Sequence, residues 1–160
     1  MEELHFIADR TVGRLAKWLR LAGFDCEFWR SADLQGLIRK SNLENRYILT
    51  KNTKLPEQKG AEKVIFIKSD QALIQLKQII KEHNLSIECE KLLSICSVCN
   101  VPVEDVSRED LRGVVPPYVF AQRRTYRRCP QCSRIYWAGT HKDRILKKLM
   151  EVLDSESGSG

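Results

Sequence analysis

Two C-x-x-C pairs constrain the fold of this 160-residue chain more than any other feature of its sequence. Their members are Cys96, Cys99, Cys129 and Cys132. Four thiolates are the number that a tetrahedral structural zinc site requires, although residues 100–128 separate the pairs by more than the usual spacing of about 15–20 residues. Redox-active or incidental thiols are the alternative. We predict a closed zinc site that supports structure, and we interpret Cys26 and Cys89 as small buried hydrophobic side chains.

The composition predicts a globular chain outside the membrane. Hydrophobic residues make up 42% of the sequence and charged residues 30%, which are ordinary values for a folded domain. No apolar run approaches the roughly 20 residues that span a bilayer, and the acidic start of the chain does not resemble a secretory signal. We therefore expect a soluble cytoplasmic protein with no membrane partner, in a reducing compartment that disfavours disulfides.

The net charge of +6 indicates an anionic partner, with a solvated basic surface as the alternative. The excess is concentrated in residues 118–148, where Asp143 is the one acidic residue. The basic residues of that range are Arg123, Arg124, Arg127, Arg128, Arg134, Lys142, Arg144, Lys147 and Lys148.

Residues 1–90 alternate between strand and helix patterns and are predicted to form one α/β domain. Strands are predicted at residues 5–8, 25–30, 47–50 and 64–67. Helices are predicted at residues 11–22, 32–40 and 70–83. Because the strands are apolar and alternate with helices, we expect a parallel sheet covered on both faces.

The pattern changes after Leu85. Residues 91–153 hold both cysteine pairs and are predicted to form a small four-cysteine zinc ribbon that depends on its metal for stability. Within these residues we expect an extended segment at 114–117, a strand at 135–137 and a basic C-terminal helix at about 142–153. Residues 154–160 are predicted to be a flexible tail.

Acidic and amide side chains follow the predicted strands. Asp9, Asn52 and Asp70 come after three of them, and Asp33 begins the helix after another. Ligands of parallel sheets bind beyond the carboxyl ends of the strands, and carboxylates gathered there need a counter-ion such as Mg²⁺ or Mn²⁺. Such an ion can activate water at a phosphodiester. The alternative is that the three aspartates cap helices, and the two roles are compatible.

Two groups of basic residues are candidate nucleic-acid contacts, with solvated surfaces as the alternative. Arg10, Arg14 and Lys17 recur at helical spacing directly after Asp9. The second group surrounds an aromatic residue and consists of Arg123, Arg124, Tyr126, Arg127 and Arg128. Guanidinium groups suit phosphates, and aromatic faces stack on unpaired bases.

Five segments of the chain resemble the Mut-seven C-terminal RNase domain family, in the order that the family has them. They are residues 6–25 (FIADRTVGRLAKWLRLAGFD), 47–51 (YILTK), 114–117 (VVPP), 128–132 (RCPQC) and 136–141 (YWAGTH). The resemblance spans roughly residues 5–150. It implies RNA as the substrate class and a PIN-like nuclease fold, in which a three-layer parallel-sheet domain precedes a zinc ribbon and a C-terminal helix.

The resemblance also implies roles for individual residues. Asp9 and Asp70 match acidic positions of the family, whereas the third strand typically ends Thr-Arg-Asp and here reads Thr50-Lys51-Asn52. An asparagine can coordinate a hard cation through its carbonyl oxygen but brings no charge. A further acidic position of the family falls near Ser31 and Asp33.

Two hypotheses of different classes follow. The first is a metal-dependent ribonuclease, a hydrolase in which Asp9 and Asp70, helped by Asp33 and Asn52, hold Mg²⁺ or Mn²⁺ against single-stranded RNA. The second is a catalytically weak or inactive RNA-binding module on a degenerate PIN-like fold. A protein-interaction module is a third possibility that no residue selects, and the oligomeric state cannot be read from the sequence.

Overall fold

A computed structural model describes residues 3–122, 125–137 and 140–154. Its first part is a parallel sheet whose strands are β1 (Phe6–Ala8), β2 (Cys26–Phe28), β3 (Tyr47–Thr50) and β4 (Val64–Phe66). Their spatial order is β2-β1-β3-β4, and each neighbouring pair is parallel. The predicted mixed α/β chain with a parallel sheet is therefore confirmed.

Helices cover both faces of this sheet. They are α1 (Gly13–Leu21), which follows a 3-10 helix over Arg10–Val12, α2 (Leu34–Glu44) and α3 (Ala72–Glu82). Successive residues of a strand point to opposite faces. Accordingly, Phe6 and Ala8 belong to the hydrophobic cluster that contains α1 and α3, whereas Ile7 packs with α2.

The strand order creates a crevice between β1 and β3. From β1 the chain crosses to β2 on one side, and it then returns to β3 on the other side of β1. Ligands of open α/β sheets bind at such a switch point, outside the carboxyl ends of the strands. Asp9 follows β1 and Thr50 ends β3, so these two residues flank the crevice.

The second part of the structure is a three-stranded antiparallel sheet, which we call the ribbon. Its strands are β5 (Glu104–Val106), β6 (Tyr126–Arg128) and β7 (Ile135–Trp137), in that spatial order. A 3-10 helix over Arg108–Leu111 and the helix α4 (Pro117–Gln122) lie between β5 and β6 in the chain, and α5 (Thr140–Asp154) follows β7.

Three elements of this second part differ from the predictions. The strands β5 and β6 were missed because Glu104, Asp105, Arg127 and Arg128 leave no apolar alternation to read. The prediction of an extended segment over residues 114–117 is wrong, since the backbone N–H groups of Val114 and Val115 close a turn on the Leu111 carbonyl oxygen and Pro117 is the first residue of α4. Proline is favoured at the first helical position, where its missing N–H has no partner to lose.

One hydrophobic cluster joins the parallel sheet to the ribbon. It contains Leu15 and Leu19 of α1, and it also contains Cys96, Tyr136 and Leu149 from the later part of the chain. Residues from both sides of position 90 therefore bury one another. Whether the two parts are separate folding units with a boundary near residue 90 stays a prediction.

Arg20 links this core to the segment between Cys96 and Cys99 by hydrogen bonds. Its Nε donates to the carbonyl oxygen of Cys26 at 2.7 Å. One terminal nitrogen donates to the carbonyl oxygens of Ser97 and Val98 at 3.0 and 3.2 Å. Residues 95–102, which we call the first knuckle, are thereby attached to β2, one of the two outer strands of the parallel sheet.

Asn100 makes the second attachment. Its Oδ1 accepts the backbone N–H of Cys26 at 2.9 Å, and its Nδ2 donates to Asp25 Oδ1 at 2.7 Å. Asp25 also bonds to Arg46 at 2.8 Å and to the His5 ring at 2.9 Å. Burial alone would raise the pKa of Asp25, but the hydrogen bonds from Arg46, Asn100 and His5 outweigh burial and lower it.

The two unpaired cysteines differ in exposure. Cys26 is buried as predicted, and burial raises the pKa of its thiol to about 12. The prediction for Cys89 is wrong, because this residue is exposed at the start of a 3-10 helix over Cys89–Lys91. Separately, no helix in the described part of the chain is both long and apolar enough to cross a membrane.

The Asn100 attachment can be tested without straining the backbone. Asn100 has a φ of 58°, which glycine adopts readily, so Asn100→Gly removes only the side chain. We expect the free energy of unfolding to fall by about 2 kcal/mol or more, because the Cys26 N–H and the Asp25 carboxylate lose buried partners. Urea unfolding at fixed zinc concentration measures this change.

The matched control is Asn45→Gly, an exposed residue with a φ of 55° that ends α2. It should change the free energy of unfolding by no more than about 0.5 kcal/mol. Equal losses in the two variants would show that the Asn100 side chain does not fasten the knuckle to the sheet.

Candidate functional site

The four paired cysteines converge on one point. Their Sγ atoms all lie within 4.8 Å of one another, and those of Cys96 and Cys132 are 3.7 Å apart. A tetrahedral zinc with Zn–S bonds of about 2.3 Å places its sulfurs about 3.8 Å apart. Cys96 and Cys129 are buried, whereas Cys132 is exposed. The cluster is therefore a possible metal-binding site, and its geometry is consistent with structural zinc.

Hydrogen bonds to sulfur support this cluster. The backbone N–H of Cys99 donates to Cys96 Sγ, and that of Cys132 donates to Cys129 Sγ, each at 3.4 Å. The Tyr136 hydroxyl donates to Cys96 Sγ at 3.2 Å. Burial would raise the pKa of Cys96, but hydrogen bonds from the Tyr136 hydroxyl, the backbone N–H groups of Cys99 and Val98, and the Cys132 side chain outweigh burial and lower the pKa to about 6. Since metals bind the thiolate, the second sphere prepares Cys96 as a ligand.

Asp9 lies at the crevice between β1 and β3 and is only 6% exposed. Its Oδ1 accepts the backbone N–H of Thr11 at 2.9 Å and the Thr11 hydroxyl at 2.5 Å, and its Oδ2 accepts the Thr50 hydroxyl. The capping role is confirmed, because these bonds cap the 3-10 helix that precedes α1. One lone pair of Oδ2 is left for a further partner.

Lys51 places a positive charge at the same edge of the sheet. Its Nζ lies 2.5 Å from Asp70 Oδ1 and donates to the Ser69 carbonyl oxygen at 3.3 Å. The Asp70 side chain is 90% exposed, and that of Lys51 is 27% exposed. Asp70 does not cap α3, whose first turn is preceded by Gln71, so the capping alternative is wrong for this residue.

Asp33 and Asn52 also serve local structure. Asp33 caps α2 through the backbone N–H of Gly36 at 3.0 Å, which confirms the capping role, and its Oδ2 lies 3.7 Å from Arg39. Asn52 Oδ1 accepts the backbone N–H of Lys54 at 3.0 Å. Both side chains sit at the carboxyl edge, but each is engaged in its own turn.

The structure brings the predicted acidic residues to one edge without gathering them around one point. Asp33, Asp9 and Asp70 follow β2, β1 and β4, and β3 lies between β1 and β4, which are therefore about 10 Å apart. Within residues 3–122, 125–137 and 140–154, the four cysteines are the only group of three or more His, Cys, Asp or Glu placed to share a metal.

The predicted basic residues of the first helix face solvent. Arg10 is exposed next to Asp9. Arg14 and Lys17 are exposed one and two turns further on, and both line a groove between α1, β7 and α5. Arg10, Arg14 and Lys17 thus form a row of basic side chains that runs from the sheet edge toward the ribbon.

The predicted basic residues of the ribbon have different environments. Arg127 Nε lies 3.4 Å from Asp105 Oδ1, and Arg128 is paired in register with Glu104. Tyr126 is 2% exposed, and its hydroxyl donates to the Val119 carbonyl oxygen at 3.0 Å. This burial corrects the expectation that the Tyr126 ring contacts RNA. Arg123 and Arg124 lie outside the described residues.

Three basic residues of α5 were missing from the predicted interface. Arg144, Lys147 and Lys148 line the groove that also contains Arg14 and Lys17. Their spacing of three and four residues places them on one face of a helix. The same spacing identified the basic residues of α1, so it could have identified those of α5.

The hydroxyl of Tyr136 provides a test of the cysteine cluster. In Tyr136→Phe, Cys96 Sγ loses its hydroxyl donor, and we expect the affinity for Zn²⁺ to fall by about tenfold or more. Competition with a chromophoric chelator measures this affinity. Tyr126→Phe is the control, since its hydroxyl bonds to Val119 and not to sulfur. A loss of affinity of the same size in both variants would contradict the assignment.

The chain was compared with known proteins. No curated protein matches it, and no solved structure matches it. The family model described as the Mut7-C RNAse domain matches residues 4–149, which is nearly the whole chain. The chain therefore belongs to the Mut7-C RNAse domain family.

Proposed function

We propose that this chain is a metal-dependent ribonuclease with a PIN-like fold, and that it hydrolyses RNA at the carboxyl edge of its parallel sheet. The position of Asp9 supports this proposal most. It is a buried carboxylate at the switch point of the sheet, and a helix with exposed basic residues begins directly after it. Membership of an RNase domain family makes RNA the expected substrate.

The residues that would hold a divalent ion are Asp9, Asp70 and Asn52, with Asp33 adding negative charge from the neighbouring strand. Their donors are oxygens, which are the ligands that Mg²⁺ and Mn²⁺ prefer. When bound, such an ion supplies an activated water and stabilises the negative charge of a phosphodiester transition state. Lys51 forms an ion pair with Asp70 in the described structure. An RNA phosphate could replace Asp70 as the partner of the Lys51 ammonium group.

The remaining residues of the edge position these groups. Thr11 and Thr50 fix the orientation of the Asp9 carboxylate through three hydrogen bonds. Arg10, Arg14 and Lys17 are exposed along the helix that follows and would bind the phosphates of the substrate. The predicted contacts from Arg127 and Arg128 are weaker candidates, because acidic residues of β5 face both.

The second part of the chain is proposed to be a zinc ribbon. The four-cysteine cluster would hold one structural Zn²⁺ that fixes the first knuckle against β2. Because zinc binds thiolates, the proposal fits a reducing compartment such as the cytoplasm.

Two observations at the edge of the sheet favour a second function. Asn52 replaces the acid typical of the family, and the Lys51 ammonium neutralises Asp70. Both features lower the negative charge available to a divalent ion. They favour an RNA-binding module that cleaves weakly or not at all, and the two functions differ in the behaviour of variants at Asp9 and Asn52.

Asp9→Asn tests the proposed hydrolysis. We expect the rate of cleavage of a single-stranded RNA in Mn²⁺ to fall by about 100-fold or more, because the carboxylate at the centre of the site loses its charge. RNA affinity measured without Mn²⁺ should stay unchanged. Glu62→Gln removes an exposed carboxylate elsewhere and should retain full activity. Cleavage that survives in Asp9→Asn would contradict the proposal.

Asn52→Asp separates the two functions. A carboxylate can still accept the Lys54 N–H, so the turn is kept while a negative charge is added. If the native chain is a ribonuclease, this variant should cleave about tenfold faster in Mn²⁺. Cleavage in the variant but not in the native chain would support the RNA-binding module. Asn45→Asp, which adds the same charge at the exposed end of α2, is the control.

A further inference from the structure

We propose that the groove between α1, β7 and α5, which we call the basic groove, is the path along which single-stranded RNA crosses this chain. This inference rests on the proposed function, because it assigns a binding path to the RNA that the proposed function assumes. The groove has a volume of about 1090 Å³.

The basic groove carries uncompensated positive charge. Its basic lining residues are Arg14, Lys17, Arg134, Arg144, Lys147 and Lys148, and Glu151 is its acidic lining residue. In the part of the chain that the structure describes, none of the six basic side chains forms an ion pair. Arg127, which lies outside the groove, is paired with Asp105. Unpaired cations attract a polyanion and release its counterions.

Two tryptophans give the groove surfaces for bases. Trp18 and Trp137 line it and are both partly buried, so each presents some of its ring to solvent. Lys148 Nζ lies 6.0 Å from the centre of the Trp18 ring, which places a cation next to an aromatic face. Tyr136 also lines the groove, but its hydroxyl is committed to Cys96. Because only unpaired bases can stack on side chains, this combination favours single-stranded RNA.

The helix α1 connects the basic groove to the candidate edge site. Arg10 follows Asp9, and from Arg10 to Lys17 the chain advances by about 10 Å along the helix. This length corresponds to about three stacked nucleotides. A strand held by Arg144, Lys147 and Lys148 would thus pass along α1 to the crevice between β1 and β3.

The central experiment measures binding of a fluorescent 12-nucleotide single-stranded RNA by anisotropy, over a series of salt concentrations. In Lys147→Gln/Lys148→Gln we expect affinity to fall by about tenfold and the salt dependence, log K against log salt, to flatten by about 1.4. The control is Lys59→Gln/Lys63→Gln, on the loop that packs against α2. This control should bind RNA as the native chain does.

A second variant tests the stacking. Trp18→Leu should lower affinity for the single strand by at least about fivefold and leave the salt dependence unchanged. Trp29→Leu, at a tryptophan packed against α2, is the matched control. Circular dichroism checks that each variant is folded. If Trp18→Leu does not fold, Lys147→Gln/Lys148→Gln and its control decide whether RNA binds in the basic groove.

The possible outcomes separate this inference from the proposed function. No RNA binding by the native chain would overturn both. Native binding that is unaffected in the Lys147/Lys148 variant would overturn the groove alone. Preference for the same RNA as a duplex, or equal binding of a glutamate-rich peptide of the same charge, would also overturn it. Weaker single-strand binding in the groove variants and not in their controls supports the assignment.

Discussion

The attachment of the first knuckle to the edge of the parallel sheet fixes the position of the ribbon relative to that sheet. Arg20 reaches from α1 to carbonyl groups in both β2 and the knuckle, and Asn100 returns from the knuckle to the backbone of Cys26. The knuckle also contributes Cys96 and Cys99 to the four-cysteine cluster, so its conformation depends on that cluster. Cys96 and Tyr136 also belong to the core that contains α1. The position of the ribbon relative to α1, and with it the shape of the basic groove, thus depends on the cysteine cluster.

At the edge of the sheet, charge is arranged along a line and not around one point. Asp9 is buried and held by hydroxyl groups, while Asp70 is exposed and bonded to Lys51 between the ends of β3 and β4. A lysine in this position can pair with a carboxylate or with a phosphate. The electrostatics of this edge therefore suit an anionic ligand as well as a cation.

The sequence predicted the parallel sheet and the cysteine cluster well, because both follow from short-range patterns. Apolar runs such as residues 6–8 identify buried strands, and C-x-x-C spacing identifies two halves of one cluster. The pairing of Lys51 with Asp70 could not be predicted, since it depends on the order of β3 and β4 in the sheet. The burial of Tyr126 was missed for a related reason. Its charged neighbours indicate a surface, whereas its ring packs against Leu111, Val115 and Val119, which come from an earlier segment of the chain.

The outer edge of β2 shows a wider consequence of the attachment. The N–H and C=O of Cys26 point away from β1, and Asn100 and Arg20 satisfy both groups. An unpaired edge strand is a template on which another chain can add a strand. Loss of the knuckle would expose this template, so the bonds that attach the knuckle also shield the edge of β2 from pairing with another chain.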